Sequence, residues 1–168
     1  MASQIKTERL ILRPLGVADG DRVVEMLNDY SVSQWLARVP FPFSHKDLRI
    51  LDDQGRSRWP DLMGIECDGV LIGGMSSGNS FGYYLTPPYW GKGLATEAGH
   101  AVLHHTFTTT DRDSLTAGYF PHNAPSKRVL DKLGFVKTGE GRQHCTAQGA
   151  DLPHIEVALT RSVWEAAQ

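Results

Sequence analysis

The stretch best suited to chemistry is Thr86-Pro-Pro-Tyr-Trp-Gly-Lys-Gly-Leu-Ala-Thr-Glu-Ala98, which follows an expected strand from Phe81 to Leu85. A glycine-rich turn that opens a helix leaves the first helical amides unpaired at the positive end of the helix dipole. An anion can bind there on backbone N–H groups alone. Gly91 and Gly93 let backbone come close to such an anion, Lys92 adds charge at the rim, and Leu94, Ala95 and Thr96 carry the helical amides. A plain strand-to-helix turn remains the alternative, since a short glycine pattern has little specificity. A Walker-type phosphate loop fits poorly, because Gly93 rather than Ser or Thr follows Lys92. The dinucleotide fingerprint fails for want of a third glycine at the required place.

The elements that must position this turn are legible from periodicity. Glu8 to Pro14 alternates arginine with leucine and reads as an opening strand stopped by Pro14. Asp19 to Asn28 and Ser31 to Arg38 read as helices, and Ser44 caps a third with Leu48, Ile50 and Leu51 inward. Prolines in Val39 to Phe43 separate the second from the third. Leu62 to Cys67, Val70 to Met75 and Asn79 to Thr86 form a strand meander, and Gly93 to Thr108 returns to helical spacing. Leu115 to Phe120 is a strand and Ala124 to Leu133 a helix, ended by Gly134 at positive φ. Phe135 to Gly139 and Ile155 to Thr160 close the chain, giving a mixed α/β or α+β order in one expected domain over residues 1–168.

Composition narrows the function classes. A net charge of −2 and a pI near 6.4 offer no basic field for nucleic acid. The two cysteines, Cys67 and Cys145, are too few for a disulfide framework and suit a reducing cytoplasm. The N-terminus lacks a signal-peptide core and no apolar run reaches the ~18 residues of a membrane span, so no membrane partner is expected.

GYYLTPPYWGKGLATEA, from Gly82 to Ala98, resembles the acetyl-CoA-binding motif of the GNAT superfamily, Q/R-x-x-G-x-G/A, with Trp90 at the Q/R position. AGYFPHNAPSKRVLDKLGF, from Ala117 to Phe135, is similar to the strand–Asn-x-x-Ser–helix block of its Rim-type branch, which acetylates the N-terminal amine of ribosomal proteins. TERLILRPL and VALTRSVW resemble that branch's first and last strands. The likeness thus spans nearly the whole chain, thinning from about Trp35 to Ser80. It implies a GNAT fold: one central, mostly antiparallel mixed sheet with a splayed parallel strand pair, Gly82–Leu85 and Leu115–Phe120, flanked by helices. It also implies transfer of an acetyl group from acetyl-CoA to a primary amine by direct attack, with no metal, in a monomer or homodimer.

On this resemblance Leu85 contributes backbone to the pantetheine arm, while Asn123 and Ser126 face the arm from the other side. Asn123 and Ser126 could instead cap the helix that follows. Two departures from the branch matter. Ser80 stands where a glutamate base is common, and Leu130 where many members carry a tyrosine acid. His122 and Glu66 are the titratable side chains left nearby, and Ser126 is the candidate for stabilising the leaving thiolate. With both usual groups missing, a catalytically silent acyl-CoA-binding module stays open beside the enzyme. Glu97 reads as structural, through the helix dipole. His100 and His104 read as surface or packing histidines, both cysteines as unreactive thiols, and Tyr83, Tyr84, Tyr89 and Trp90 as packing residues. Trp35, Phe41, Phe43 and a Gly139–Leu152 loop could wall the acceptor site or belong to the core.

Overall fold

A computed structural model describes residues 4–50, 58–78 and 80–168, with no side chains described for 58–61. The strands are β1 (Ile5–Lys6), β2 (Leu10–Gly16), β3 (Arg58–Cys67), β4 (Val70–Ser77), β5 (Phe81–Leu85), β6 (Ser114–Tyr119), β7 (Val136–Cys145) and β8 (Ala150–Thr160). The helices are α1 (Gly20–Leu27), α2 (Tyr30–Ser33), α3 (Leu94–Thr109), α4 (Ala124–Leu133) and α5 (Arg161–Ala166). Strands β1 to β5 form one antiparallel meander, and a second ladder runs in the order β6-β8-β7. The expected splayed pair is β5 and β6. The helix α3 carries the chain back between them, so they run the same way. The splay is complete enough that no ladder joins them, and the sheet divides into two hydrogen-bonded halves.

Alternation along the strands sends side chains to two cores. Leu12, Ile65, Ile72, Met75 and Phe81 pack under α3 and α4, while Leu15, Leu71 and Tyr84 face α1, with Val23, Met26, Leu27 and Phe43. Helix α3 is buried along Leu94, Ala98, Val102, Leu103 and Phe107. Its C-terminus is tied by Arg161, whose guanidinium donates to Phe107 O at 2.6 Å, Thr110 O at 2.7 Å and Arg112 O at 3.0 Å. The same group lies 5.3 Å from the Phe107 ring centroid.

Several expected boundaries move. Pro14 does not stop β2, which runs on to Gly16. Proline is tolerated there because β1 reaches only Ile11 and Leu12, and the register with β3 shifts between Pro14 and Gly16. The helix expected over Ser31–Arg38 is only α2, capped by Asp29, whose carboxylate accepts from Ser31 N at 2.9 Å. Beyond it the carbonyls of Gln34 and Ala37 serve the β7–β8 turn, accepting from Gln148 Nε2 and Thr146 N at 2.9 Å each. The third helix is a 3-10 segment, His45–Ile50, tied by Ser44 N to Asp47 at 2.8 Å. Leu51 and Asn79 lie outside the described residues. The Gly139–Leu152 region is no loop: most of it forms the arms of the β7–β8 hairpin. Helix α4 has the expected bounds, with Gly134 at φ 95°.

Replacing Arg161 by alanine removes three charge-assisted hydrogen bonds, each worth about 1.5–3 kcal/mol at best and non-additive. A loss of about 2–4 kcal/mol of unfolding free energy is expected in urea titrations, with little recovery in Arg161→Lys, which lacks the planar fork.

Candidate active site

The edge of β5 that faces away from β4 is open. Thr86 N donates to Ile72 O at 2.8 Å, directly opposite it in the register, so Thr86, Tyr84 and Gly82 hold the bonded positions against β4. The backbone groups of Phe81, Tyr83 and Leu85 therefore point the other way, toward β6. Contact between the two strands is made at their starts, where Ser80 Oγ donates to Thr116 O at 3.2 Å. Beyond that point a cavity of about 1080 Å³ opens, lined by β5, β6, the start of α3 and one side of α4.

Part of this edge is already occupied. Trp90 Nε1 donates to Leu85 O at 2.7 Å, so the Leu85 carbonyl is taken and its amide remains. That bond also fixes the turn ahead of α3. Gly91 and Gly93 have φ of 70° and 75°, a left-handed geometry that side chains disfavour. Gly93 is the N-cap of α3, and the first intrahelical bond is Glu97 N to Gly93 O at 3.0 Å. The amides of Leu94, Ala95 and Thr96 thus precede the helical ladder and lie at the cavity mouth. Lys92 does not line the cavity; its ammonium lies 5.6 Å from the Tyr89 ring centroid.

Glu97 clamps this turn from behind. It accepts from Thr7 Oγ1 at 2.5 Å, Arg9 N at 2.9 Å and Arg9 Nε at 2.7 Å, while Arg9 also donates to Lys92 O at 2.9 Å. Burial alone would raise the Glu97 carboxyl, but the hydrogen bonds from Thr7 and Arg9, with the Arg9 charge, outweigh it and hold it below its ordinary value. Its structural reading agrees with this geometry.

Across the cavity Asn123 caps α4, its carbonyl accepting from Ser126 N at 3.4 Å, and both residues also line the cavity. Ser126 faces the Tyr83 phenol across the cavity wall; burial pushes the phenol above its usual value, and the nearby Ser126 side chain opposes the rise. Tyr83 packs against the main core, as expected, and also lines the cavity. Alternation within β5 was the available signal, since it separates Tyr83 from Tyr84, which is 8% exposed in the other core. Arg128 and Lys132, one turn apart on α4, give the cavity a cationic side that the sequence reading missed.

His122 is exposed in the turn before α4 and borders the cavity. Glu66 is elsewhere, paired with Arg13 at 2.6 Å in a cluster with Asp19. Leu130 is buried in the core. Trp35 lines the cavity, but Phe43 is buried beside α1 and Phe41 meets Tyr30 edge-to-face with centroids 5.1 Å apart. From the hairpin, Gln143, His154 and Glu156 reach the cavity wall. Cys145 is buried with Sγ 3.3 Å from Gln34 O. His104 packs on Trp164 with ring centroids 5.9 Å apart. Among the described residues no three His, Cys, Asp or Glu side chains gather to hold a metal ion, and no helix is long and apolar enough to cross a membrane.

An open strand edge beside a glycine-led helix is the arrangement of GNAT acetyltransferases, and the family model "Acetyltransferase (GNAT) domain" matches residues 9–136. The chain belongs to this family and is an acyl-CoA-dependent N-acetyltransferase. It is similar to the uncharacterized N-acetyltransferase p20 of Bacillus licheniformis, 28% identical over 85% of this chain and 88% of that protein. The ribosomal protein uS5-alanine N-acetyltransferase of Escherichia coli (strain K12) is 29% identical over 62% of this chain and 54% of that enzyme. Among solved structures, Mycobacterium smegmatis RimJ in complex with CoA-disulfide superposes with a TM-score of 0.78 at 23% identity, covering 99% of this chain and 89% of that one.

Two outcomes test the geometry. Glu97 is held below its ordinary value of 4.5, so its contribution to stability is present above that pH and is lost as pH falls through the folded value. Glu97→Gln is expected to flatten this part of the acid limb in thermal melts at pH 3–5. Gly93→Val, which forces a β-branched residue to positive φ, is expected to weaken CoA binding far more than Lys92→Ala. Isothermal titration of the folded variants compares the two.

Proposed function

We propose that this protein transfers an acetyl group from acetyl-CoA to a primary amine, either a protein N-terminus or a small-molecule amine, by direct attack in a ternary complex. The observation that carries this reading is the unpaired edge of β5 running into the glycine turn. It offers amides at Tyr83 and Leu85 to a peptide-like arm, then amides from Gly91 to Thr96 to a pyrophosphate. The chain's residues fit such a donor in three ways: a cavity of about 1080 Å³, a side-chain-free turn at Gly91, and cations at Arg128 and Lys132. Acetyl-CoA supplies an activated acyl group whose thiolate leaves as the amide forms.

The protein's own residues act by position. The β5 edge and α4 hold the thioester between them, which replaces an encounter in solution with a fixed approach. Tyr83 N–H lies on the strand edge where it can donate to the acyl oxygen as charge develops there. Ser126, beside Tyr83 on the cavity wall, donates toward the leaving sulfur, and Asn123 holds the first turn of α4 that carries Ser126. His122, at the exposed rim, is a route for protons to solvent. The likeness to enzymes named for ribosomal-protein alanine favours a protein N-terminus as the acceptor.

Acetyl-CoA and free CoA are both expected to raise the melting temperature with concentration, by about 2.7 kcal/mol of stabilisation at 100 times Kd. A melting temperature that stays flat at millimolar acetyl-CoA contradicts the reading, while binding without release of free CoA across an amine panel supports a silent binding module. Ser126→Ala is expected to lower kcat by about 10- to 150-fold with little change in acetyl-CoA affinity, the loss of one hydrogen bond to a charged group. Lowered stability with normal turnover would leave Ser126 as a cap alone.

A further inference from the structure

With serine at position 80 and leucine at position 130, the site lacks an obvious acceptor for the ammonium proton. The β6-β8-β7 ladder carries two titratable side chains that reading of the motifs did not single out. His154 and Glu156 are two residues apart on the central strand β8, so they share a face, and both line the cavity. Their neighbours across the ladder are glycines. Glu156 lies between Gly118 of β6 and Gly139 of β7, and His154 lies opposite Gly141.

These glycines leave room that the two side chains use. A Cβ at Gly118 would come within 2.5 Å of His154 Nε2, so any other residue there would push the imidazole aside. A Cβ at Gly139 would lie 3.0 Å from Glu156 Oε2. The Phe120 ring meets the imidazole edge-on, with centroids 5.4 Å apart, and fixes its plane. A histidine serving only to fill space would not need a side-chain-free neighbour inside a sheet, where glycine weakens the strand.

The geometry points to His154 and Glu156 as the acceptor-amine subsite, where Glu156 draws in the ammonium and His154 takes its proton. This inference rests on acetyl transfer at the same cleft. The step balances: R–NH3+ gives its proton to the neutral imidazole, and the free amine attacks the thioester carbon. The C–N bond forms, the C–S bond breaks, the second proton of the attacking nitrogen passes to the departing thiolate to give the free thiol, and the imidazolium returns the first proton to solvent. Burial favours the neutral imidazole and lowers its pKa, while the Glu156 carboxylate opposes that shift. The other charged or titratable groups lining the cavity include Arg38, Tyr119, His122, Arg128 and Lys132, none of them a carboxylate, while Glu140 and Arg142 of β7 pair with Ile155 and Pro153 and so lie on the other face of the ladder. Glu140 is engaged by Lys137, and Arg142 donates to Asp151 O at 2.6 Å. That leaves Glu156 as the carboxylate beside the ring.

Steady-state rates between pH 5 and 9 test the assignment. The probes are acetyl-CoA with peptides bearing a free N-terminal alanine or serine and with a short alkylamine. His154→Gln is expected to lower kcat by about 100-fold, the usual scale for one proton-transfer group, and to abolish the limb that rises through the His154 pKa. Glu156→Gln removes the charge that raises that pKa, so it is expected to move the limb to lower pH and to raise KM for the amine. Gly118→Ala should reproduce the His154→Gln profile by displacing the ring. Each variant should keep the wild-type rise in melting temperature with CoA, which separates chemistry from folding. Wild-type turnover with an unchanged pH profile in His154→Gln overturns this inference alone. Acetyl-CoA binding without acetylation of any probe by the wild type overturns the transfer reading together with it.

Discussion

An unpaired strand edge in the middle of a protein is costly unless something pairs with it. Here β5 bonds β4 through its even-numbered residues and turns the backbone of Phe81, Tyr83 and Leu85 toward a strand that diverges from it. Much of the rest of the structure keeps that edge open. The helix α3 and its turn set β5 and β6 side by side. The Ser80–Thr116 contact holds their starts together, and α4 fills one face of the gap without closing it. The cleft exists because two strands that could pair do not.

Keeping the gap open requires the glycine turn to stay rigid. Two left-handed glycines cannot hold themselves, and the restraint comes from the chain's beginning. Thr7 and Arg9, at the turn between β1 and β2, grip Glu97 and the Lys92 carbonyl, while Trp90 fastens to Leu85. A carboxylate in the first turn of a helix is favourable by the dipole alone. This one also ties the opening strands to the glycine turn and its unpaired amides, which links folding of the meander to the geometry of that turn. Arg161 does the corresponding work at the far end of α3.

How much of this could be read from the sequence depended on whether the signal was local. The glycine turn, the Asn123 cap and the Gly134 stop are set by neighbouring residues, and α4 has the expected bounds. Pro14 misled because its effect depends on how far β1 extends, and the Ser31–Arg38 helix because its carbonyls are claimed by a turn more than a hundred residues away. Tyr83 was grouped with Tyr84 although alternation sends them to opposite faces. Gln143 falls in the stretch expected as a loop, which hides its place on a strand, while His154 and Glu156 gain their setting only when β6, β8 and β7 pair and bring Gly118, Gly139 and Gly141 beside them. Glu66 looked close to the site in the meander, yet it belongs to the Arg13–Asp19 cluster.

Amide hydrogen exchange with and without CoA, resolved by NMR, measures the central claim directly. The account predicts that CoA slows exchange at two separated places: the Tyr83 and Leu85 amides on the open edge, and the amides from Gly91 to Thr96. Gly82 and Tyr84, whose backbone groups point to β4, should change little. Protection confined to other surfaces, with the β5 edge and the glycine turn exchanging as fast as in the free protein, would contradict it.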